Sequence, residues 1–346
     1  MDNPTISTLS GLRGAFLALR TPGDLAELLA VSPNFLAAVA DQPRYYTFEV
    51  PKKSGEMRLI EDPDDRLQPM QADLNDYLQA VYWKQRSPAA YGFLVVPQGD
   101  PEPRHIETNA ARHLGNSWLL NCDLEDFFHQ ITDGRVSQLF QSAPFNFSGE
   151  LCNLLVQLTT YKRRCPMGAP TSPVLSNLVF ADTDADLLSL AYRRGWVYSR
   201  YADDMSFSTR DELTWDDYAH VKRVAKQHNF VFNPAKANLY GPGDSKIITG
   251  LLLGLHDVEL PMEFIPQLAD DIKQLAGAVK VQFRVNPRGS RTIDRFRRSV
   301  EGKLRFAGRI MGNKHPAVAK IWKDYRLAIK TPDANEARSW LDFDYF

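Results

Sequence analysis

The sequence predicts an α+β protein: an antiparallel sheet covered by helices on one face, followed by a basic helical segment. Three observations carry that expectation. Residues 117–128, "SWLLNCDLEDFF", are apolar up to Asp123 and predict a buried strand that ends in acids. Residues 199–208, "SRYADDMSFS", set Asp203 and Asp204 side by side among Tyr198, Tyr201, Met205 and Phe207, as in a buried hairpin that turns at two acids. Residues 272–330 hold 16 Lys and Arg against three acids, with apolar residues at helical spacing.

The remaining elements follow in chain order. Residues 24–41 are rich in Ala and Leu and predict two short helices around Ser32–Pro33. "YYTFEVPKKSGEMRLIEDP" (45–63) predicts two strands joined by a turn at Ser54–Gly55. Leu67, Met70, Leu74, Leu78 and Val81 recur at helical spacing and predict one amphipathic helix. The Pro/Gly-rich stretch 94–104 reads as a loop, and 148–160 as a further helix. A helix from 172 to about Gly195 is expected, with Ser172 as N-cap and Pro173 at its first position. No internal repeat is visible.

Composition narrows the class. At 346 residues, 44% hydrophobic and 24% charged, the chain has the balance of a globular protein of two or three units. No apolar run approaches the ~20 residues needed to span a bilayer. The start "MDNPTISTLS" has neither a basic nor an apolar leader region, so a cytoplasmic protein without a membrane partner is expected. Cys122, Cys152 and Cys165 form no C-x-x-C pair, which argues against a disulfide framework or a zinc ribbon. The net charge of −1 conceals +13 over residues 272–330 and −14 elsewhere. A compact basic segment on an acidic chain points to a polyanion, with nucleic acid favoured.

If the first strand pairs beside the hairpin, Asp123, Asp203 and Asp204 converge at one edge of the sheet. Adjacent carboxylates repel, and an apolar setting demands a counter-charge. Oxygen donors without a Cys or His set favour a hard cation, Mg²⁺ above all. Two such ions about 4 Å apart would clamp the attacking and leaving oxygens of an in-line phosphoryl displacement.

These residues also carry a family resemblance. "YADD" (201–204) resembles the Y-x-D-D box of reverse transcriptases, "NCDLEDFF" (121–128) their first catalytic motif, and "MGAPTSPVLSNLVF" (167–180) their Gln-Gly-x-Pro-x-Ser-Pro motif. "NAARH", with Asn109, Ala110 and His113, is similar to the Asn-Ala-x-x-His motif of retron enzymes. "ITG", Ile248, Thr249 and Gly250, resembles their Val-Thr-Gly motif, and "YGF" (91–93) a short Gly-Phe motif.

The resemblance implies a right-hand polymerase: an N-terminal helical segment (1–44), fingers and palm (45–255), and a basic helical thumb with a tail (256–346). It implies that Asp123, Asp203 and Asp204 bind two Mg²⁺, with the Leu124 carbonyl a further ligand. Arg58 falls where the family reaches the triphosphate, and a guanidinium fork suits phosphate oxygens; Lys52 and Lys53 are nearby candidates, with solvent exposure on the local turn as the alternative. Phe128 falls at the aromatic gate that excludes a ribose 2′-OH, with core packing as the alternative. Asp126 resembles a family position close to the nucleotide sugar, beside the metal ligands rather than among them. Met167 stands where much of the family has Gln, so a thioether replaces an amide and contacts would rest more on Gly168. Arg200 is either a counter-charge to the acids or a surface residue. His113 reads as a satisfied structural histidine or a motif residue, and Asn109 as a cap or as a residue that orients the loop around it. Arg295, Arg297, Arg298, Lys303 and Arg305 would track RNA phosphates.

The family further implies a retron function: a dedicated non-coding RNA serving as template and primer, dNTPs as substrates, and an RNA-linked single-stranded DNA (msDNA) as product. Priming from an internal guanosine 2′-OH and a defence effector protein acting against phage come with it. Other bacterial reverse transcriptases, of the abortive-infection or diversity-generating type, are the alternative, as is a catalytically silent RNA-binding scaffold.

Overall fold

Helices surround the central sheet, and those at Pro22–Leu28, Asp133–Gln141 and Trp215–Gln227 are capped by the Thr side chains that precede them. The computed structural model describes residues 3–51, 55–285 and 291–330. The chain forms two compact units, Met1–Thr249 and Gly250–Phe346. Lys52, Lys53 and the aromatic tail 337–346 lie outside the described residues.

The first unit opens with α1 (Ile6–Leu17), α2 (Pro22–Leu28) and α3 (Pro33–Asp41). Thr21 and Asp24 cap α2 reciprocally, and Pro22 and Pro33 sit at first helical positions, where a missing N–H costs nothing. A hairpin of β1 (Tyr45–Pro51) and β2 (Met57–Pro63) follows, antiparallel from Tyr45↔Pro63 to Pro51↔Met57. Then come α4 (Leu67–Gln85), α5 (Ile106–Ala111) and β3 (Trp118–Leu124). Next are α6 (Asp133–Gln141), α7 (Gly149–Thr159), α8 (Ser172–Val179) and α9 (Ala181–Arg194). The unit ends with β4 (Val197–Tyr201), β5 (Asp204–Thr209), α10 (Trp215–Gln227), β6 (Phe232–Tyr240) and β7 (Ile247–Ile248).

The sheet order is β4-β5-β3-β6, every pair antiparallel. Helices bury its apolar residues in one core that joins Leu120, Cys122 and Phe207 to Leu74, Leu155, Val174 and Leu187. The helices before residue 44 share this core through Phe16, Leu25, Leu36 and Val39. The single helix expected from Ser172 to Gly195 is two: the chain breaks at Phe180, and Thr171 rather than Ser172 stands at the N-cap. Gly195 ends α9 in the left-handed region, as a helix C-terminus favours.

The second unit contains β8 (Leu251–Leu253), β9 (Val258–Glu259), α11 (Phe264–Val285), α12 (Arg291–Met311) and α13 (Pro316–Ala328). Its helices close their own core of Leu268, Leu275, Val300, Leu304, Ile321 and Tyr325. Among the described residues no single helix is long and apolar enough to cross a membrane.

Candidate active site

Strand pairing brings the acids together. In the β3–β5 register Asp123 lies opposite Asp204. The Leu124 amide donates to the Asp203 carbonyl at 3.2 Å, which fixes the tip of the hairpin against the end of β3. Burial, and then the charges of Asp123 and Asp203, push the Asp204 carboxyl up to about 7. Asp123 is raised by burial and by Asp203, against the opposing pull of Lys236. Lys236, on β6, donates to Asp123 Oδ2 at 2.6 Å. Burial works against its ammonium, but the bond to Asp123 outweighs it and the pKa rises. Lys236 thus bonds one of the three carboxylates, Asp123, and among the described residues negative charge is in excess at the hairpin. Among the described residues no three His, Cys, Asp or Glu side chains are drawn close enough to enclose an ion.

Asp123 and Asp203 border a cavity of about 570 Å³ that Arg58, Phe128, Met167 and Lys236 also line. Four expected site regions therefore meet in one place. Met167 accepts from the Glu61 amide through its carbonyl at 2.7 Å, tying the loop before α8 to β2. Gly168 explains itself here: with φ 136°, a Cβ would sit 2.7 Å from the Glu61 carbonyl oxygen. Glu61 is fully buried, and Arg164 grips its carboxylate with two bonds at 2.7 and 3.2 Å. Burial favours the neutral acid, but the bonds from Arg164 and Lys162 hold the Glu61 pKa below the usual carboxylate range. Phe128 is partly exposed and stacks on Phe93, centroids 5.6 Å apart. Asp126 is exposed, with φ 41°, at the start of the short 3-10 turn Phe127–Gln130.

Arg200 is neither a counter-charge to these acids nor a surface residue. It is fully buried, and its guanidinium bonds both oxygens of Asp184 on α9, at 3.0 and 2.7 Å. Burial works against its charge, but Asp184 outweighs this and keeps it positive. A further bond at 2.8 Å reaches the carbonyl of Ala202, which holds φ 59° inside the Y-x-D-D turn. Gly92 presses on the same turn, since a Cβ there would meet the Ala202 nitrogen at 2.7 Å.

The Asn-Ala-x-x-His segment packs behind the hairpin. His113 is buried and bridges Ser199 on β4 and Ser208 on β5, each at 2.7 Å. Burial, and then nearby Arg112, lower its pKa to about 3, so the ring is neutral. Asn109 does not cap α5; His105 does, with Thr108 reciprocating. Asn109 and Ala110 are buried inside that helix, and the Asn109 Oδ1 has no partner. Thr249 donates its hydroxyl to the Ile106 carbonyl at 3.2 Å, so the Ile-Thr-Gly segment begins against α5. Ile248 is buried and Gly250 turns with φ 81°.

In the second unit Arg295, Arg297, Arg298, Lys303 and Arg305 are all exposed on α12. Lys303 and Arg305 bond Asp271 and Glu301, each at 2.6 Å, and Arg297 lies 3.9 Å from Asp294. Two residues escaped the sequence reading altogether. Lys236 is 113 positions from Asp123 and carries no motif of its own. Asn177 lay inside a quoted motif, but nothing local marked it as a partner of Arg200, which donates to it at 3.0 Å.

Residues 50–257 match the family model described as reverse transcriptase (RNA-dependent DNA polymerase). The chain belongs to the reverse transcriptase family. Within it, the chain belongs to the retron group. It is 31% identical over 276 residues to the retron Ec86 reverse transcriptase of Escherichia coli, covering 76% of this chain and 77% of that one. It is 34% identical over 269 residues to the retron Mx65 reverse transcriptase of Myxococcus xanthus. That alignment takes in 70% of this chain but 61% of the Myxococcus protein, so this reverse transcriptase spans about three fifths of that relative's length. A telomerase from Candida albicans, solved with a fragment of telomeric RNA, aligns with 89% of this chain and 67% of its own at TM-score 0.47 and 8% identity.

Proposed function

We propose that the protein is the RNA-directed DNA polymerase of a retron, copying part of a dedicated non-coding RNA into RNA-linked single-stranded DNA. The observation that carries this is the register that sets Asp123 opposite Asp204, beside Asp203, on the border of a cavity also lined by Arg58 and Phe128. The excess negative charge and all-oxygen donors fit Mg²⁺, held by Asp123, Asp203, Asp204 and the Leu124 carbonyl. Two such ions, when bound, acidify a primer hydroxyl and neutralise a triphosphate. Arg58, in the lining of the cavity, supplies a phosphate-binding guanidinium. Phe128 presents its ring where a 2′-OH would have to fit, which selects dNTPs. Lys236 bonds Asp123 and holds its carboxylate in place.

The helical second unit serves as the thumb, and the exposed cations of α12 follow the phosphates of the RNA. The finer reading rests on the motif resemblance to retron enzymes: the RNA acts as both template and primer, the product is msDNA, and an effector protein joins both in anti-phage defence. Asp203→Asn tests the core of this reading. Primer extension on an RNA template should be lost, with RNA binding kept. Near-normal extension would sink the metal assignment.

A further inference from the structure

The aromatic ring expected to exclude a ribose 2′-OH does not stand alone. Phe93 stacks on Phe128 at 5.6 Å with 29° between planes, and both rings line the same cavity. Phe93 sits at φ 61°, a left-handed conformation that aromatic residues seldom adopt. Such a backbone persists only where its surroundings over-determine it. Here the restraint is identifiable. The Asn177 amide donates to the carbonyls of Gly92 and Phe93 at 2.9 and 3.2 Å, and Gln79 donates to the Phe93 carbonyl at 3.0 Å.

Asn177 is fully buried, and Arg200 decides which way its amide faces. A guanidinium has no acceptor, so the atom it meets at 3.0 Å must be the Asn177 oxygen. The NH₂ therefore has to face the two carbonyls. The same guanidinium bonds Ala202 within the Y-x-D-D turn, so one buried cation sets both the acidic hairpin and the Phe93 loop.

We propose that Asn177 is a positioning residue for sugar selection: it pins Phe93 against Phe128, and the two rings together close the wall beside the sugar. This rests on the polymerase reading above. Phe93 is the second half of the gate, and Asn177 acts only through it.

Asn177→Asp is the sharpest probe. It is nearly isosteric and keeps the acceptor for Arg200, but it puts an oxygen against the two carbonyls in place of a donor. The assay is single-nucleotide extension of an RNA-templated primer by the full chain, comparing kcat/KM for a dNTP and its matching rNTP. Discrimination should fall about tenfold, the scale at which one group in a pocket is told apart. A purely structural role would slow both sugars alike and leave the ratio unchanged. Phe93→Leu should lower the ratio by itself, and adding Asn177→Asp to it should lower the ratio no further. If Asn177→Asp does not fold, Phe93→Leu decides alone. An unchanged ratio in either folded variant, or losses that multiply in the double variant, would overturn the proposal. A wild-type chain that makes no DNA sinks the polymerase reading, and this inference falls with it; an active wild type with insensitive variants sinks this inference alone.

Discussion

Acid should destabilise this protein through one histidine in particular. His113 is buried, bonded to Ser199 and Ser208, with Asn116 donating to the same Ser208 hydroxyl at 2.8 Å. The charge of nearby Arg112 disfavours protonation further. The folded-state pKa of about 3 lies below the ordinary 6.5, so the unfolded chain binds the proton more readily. The contribution is therefore fully present above 6.5 and drains away as pH falls toward 3. Each pH unit in that window is worth about 1.4 kcal/mol, so moving from pH 7 to pH 5 should cost about 2 kcal/mol from this residue. His113→Gln keeps a donor and an acceptor but cannot titrate. Urea unfolding of wild type and variant at pH 7, 6 and 5 measures the difference in slope. Parallel stability curves would refute the reasoning, because the lost proton linkage is the whole of the effect.

Other expectations follow from the same contacts. Gly92→Ala places a methyl 2.7 Å from the Ala202 nitrogen, so DNA synthesis should fall more than tenfold while overpacking costs about 1–3 kcal/mol; extension and melting together check it. Asp184→Asn leaves Arg200 charged and half-partnered in the core and should cost about 3–5 kcal/mol in urea unfolding; a loss under 1 kcal/mol would mean that the pair is replaceable. Changing Arg295, Arg297 and Arg298 together to Glu should flatten the slope of log RNA affinity against log salt by about two to three units, at 0.7–0.9 per lost contact. An unaltered slope would make that face of α12 merely solvated.

How much was legible in the sequence depended on how local each signal was. The strand ending at Asp123, the hairpin at Asp203–Asp204 and the helix from Leu67 each advertise themselves within a dozen residues, by apolar runs or by periodicity. β6 does not, because Asn233 and Pro234 interrupt any run of strand-forming residues. The sheet accommodates them where the register slips between Asn121 and Asp123, and Pro is tolerated at such irregularities. α1 falls inside the N-terminal helical segment expected over 1–44, but its bounds were not legible because Ser7, Thr8, Ser10, Gly11 and Gly14 blur any apolar stripe. Arg200 was misjudged for a different reason. Its charge suggested solvent or the acid cluster, and only the packing of α9 on β4 reveals Asp184 behind it. The sequence motif pointed to the three acids that the strands bring together; it could not point to the buried pair of Arg200 and Asp184 behind them.

The aromatic cluster at the N-terminal helices has a consequence for where this protein can be cut. Phe16 stacks on Tyr77 and meets Phe145 and Phe147 edge-on, and those two rings pack with Phe140. The stretch that matches the family begins at residue 50, yet part of its own interior is roofed by rings and leucines encoded before that point. A fragment or graft drawn at the motif boundary would leave Tyr77, Phe145 and Phe147 facing water and prone to self-association. The inheritable unit and the foldable unit are therefore different lengths of chain, and transplanting the chemistry means carrying the first helix with it.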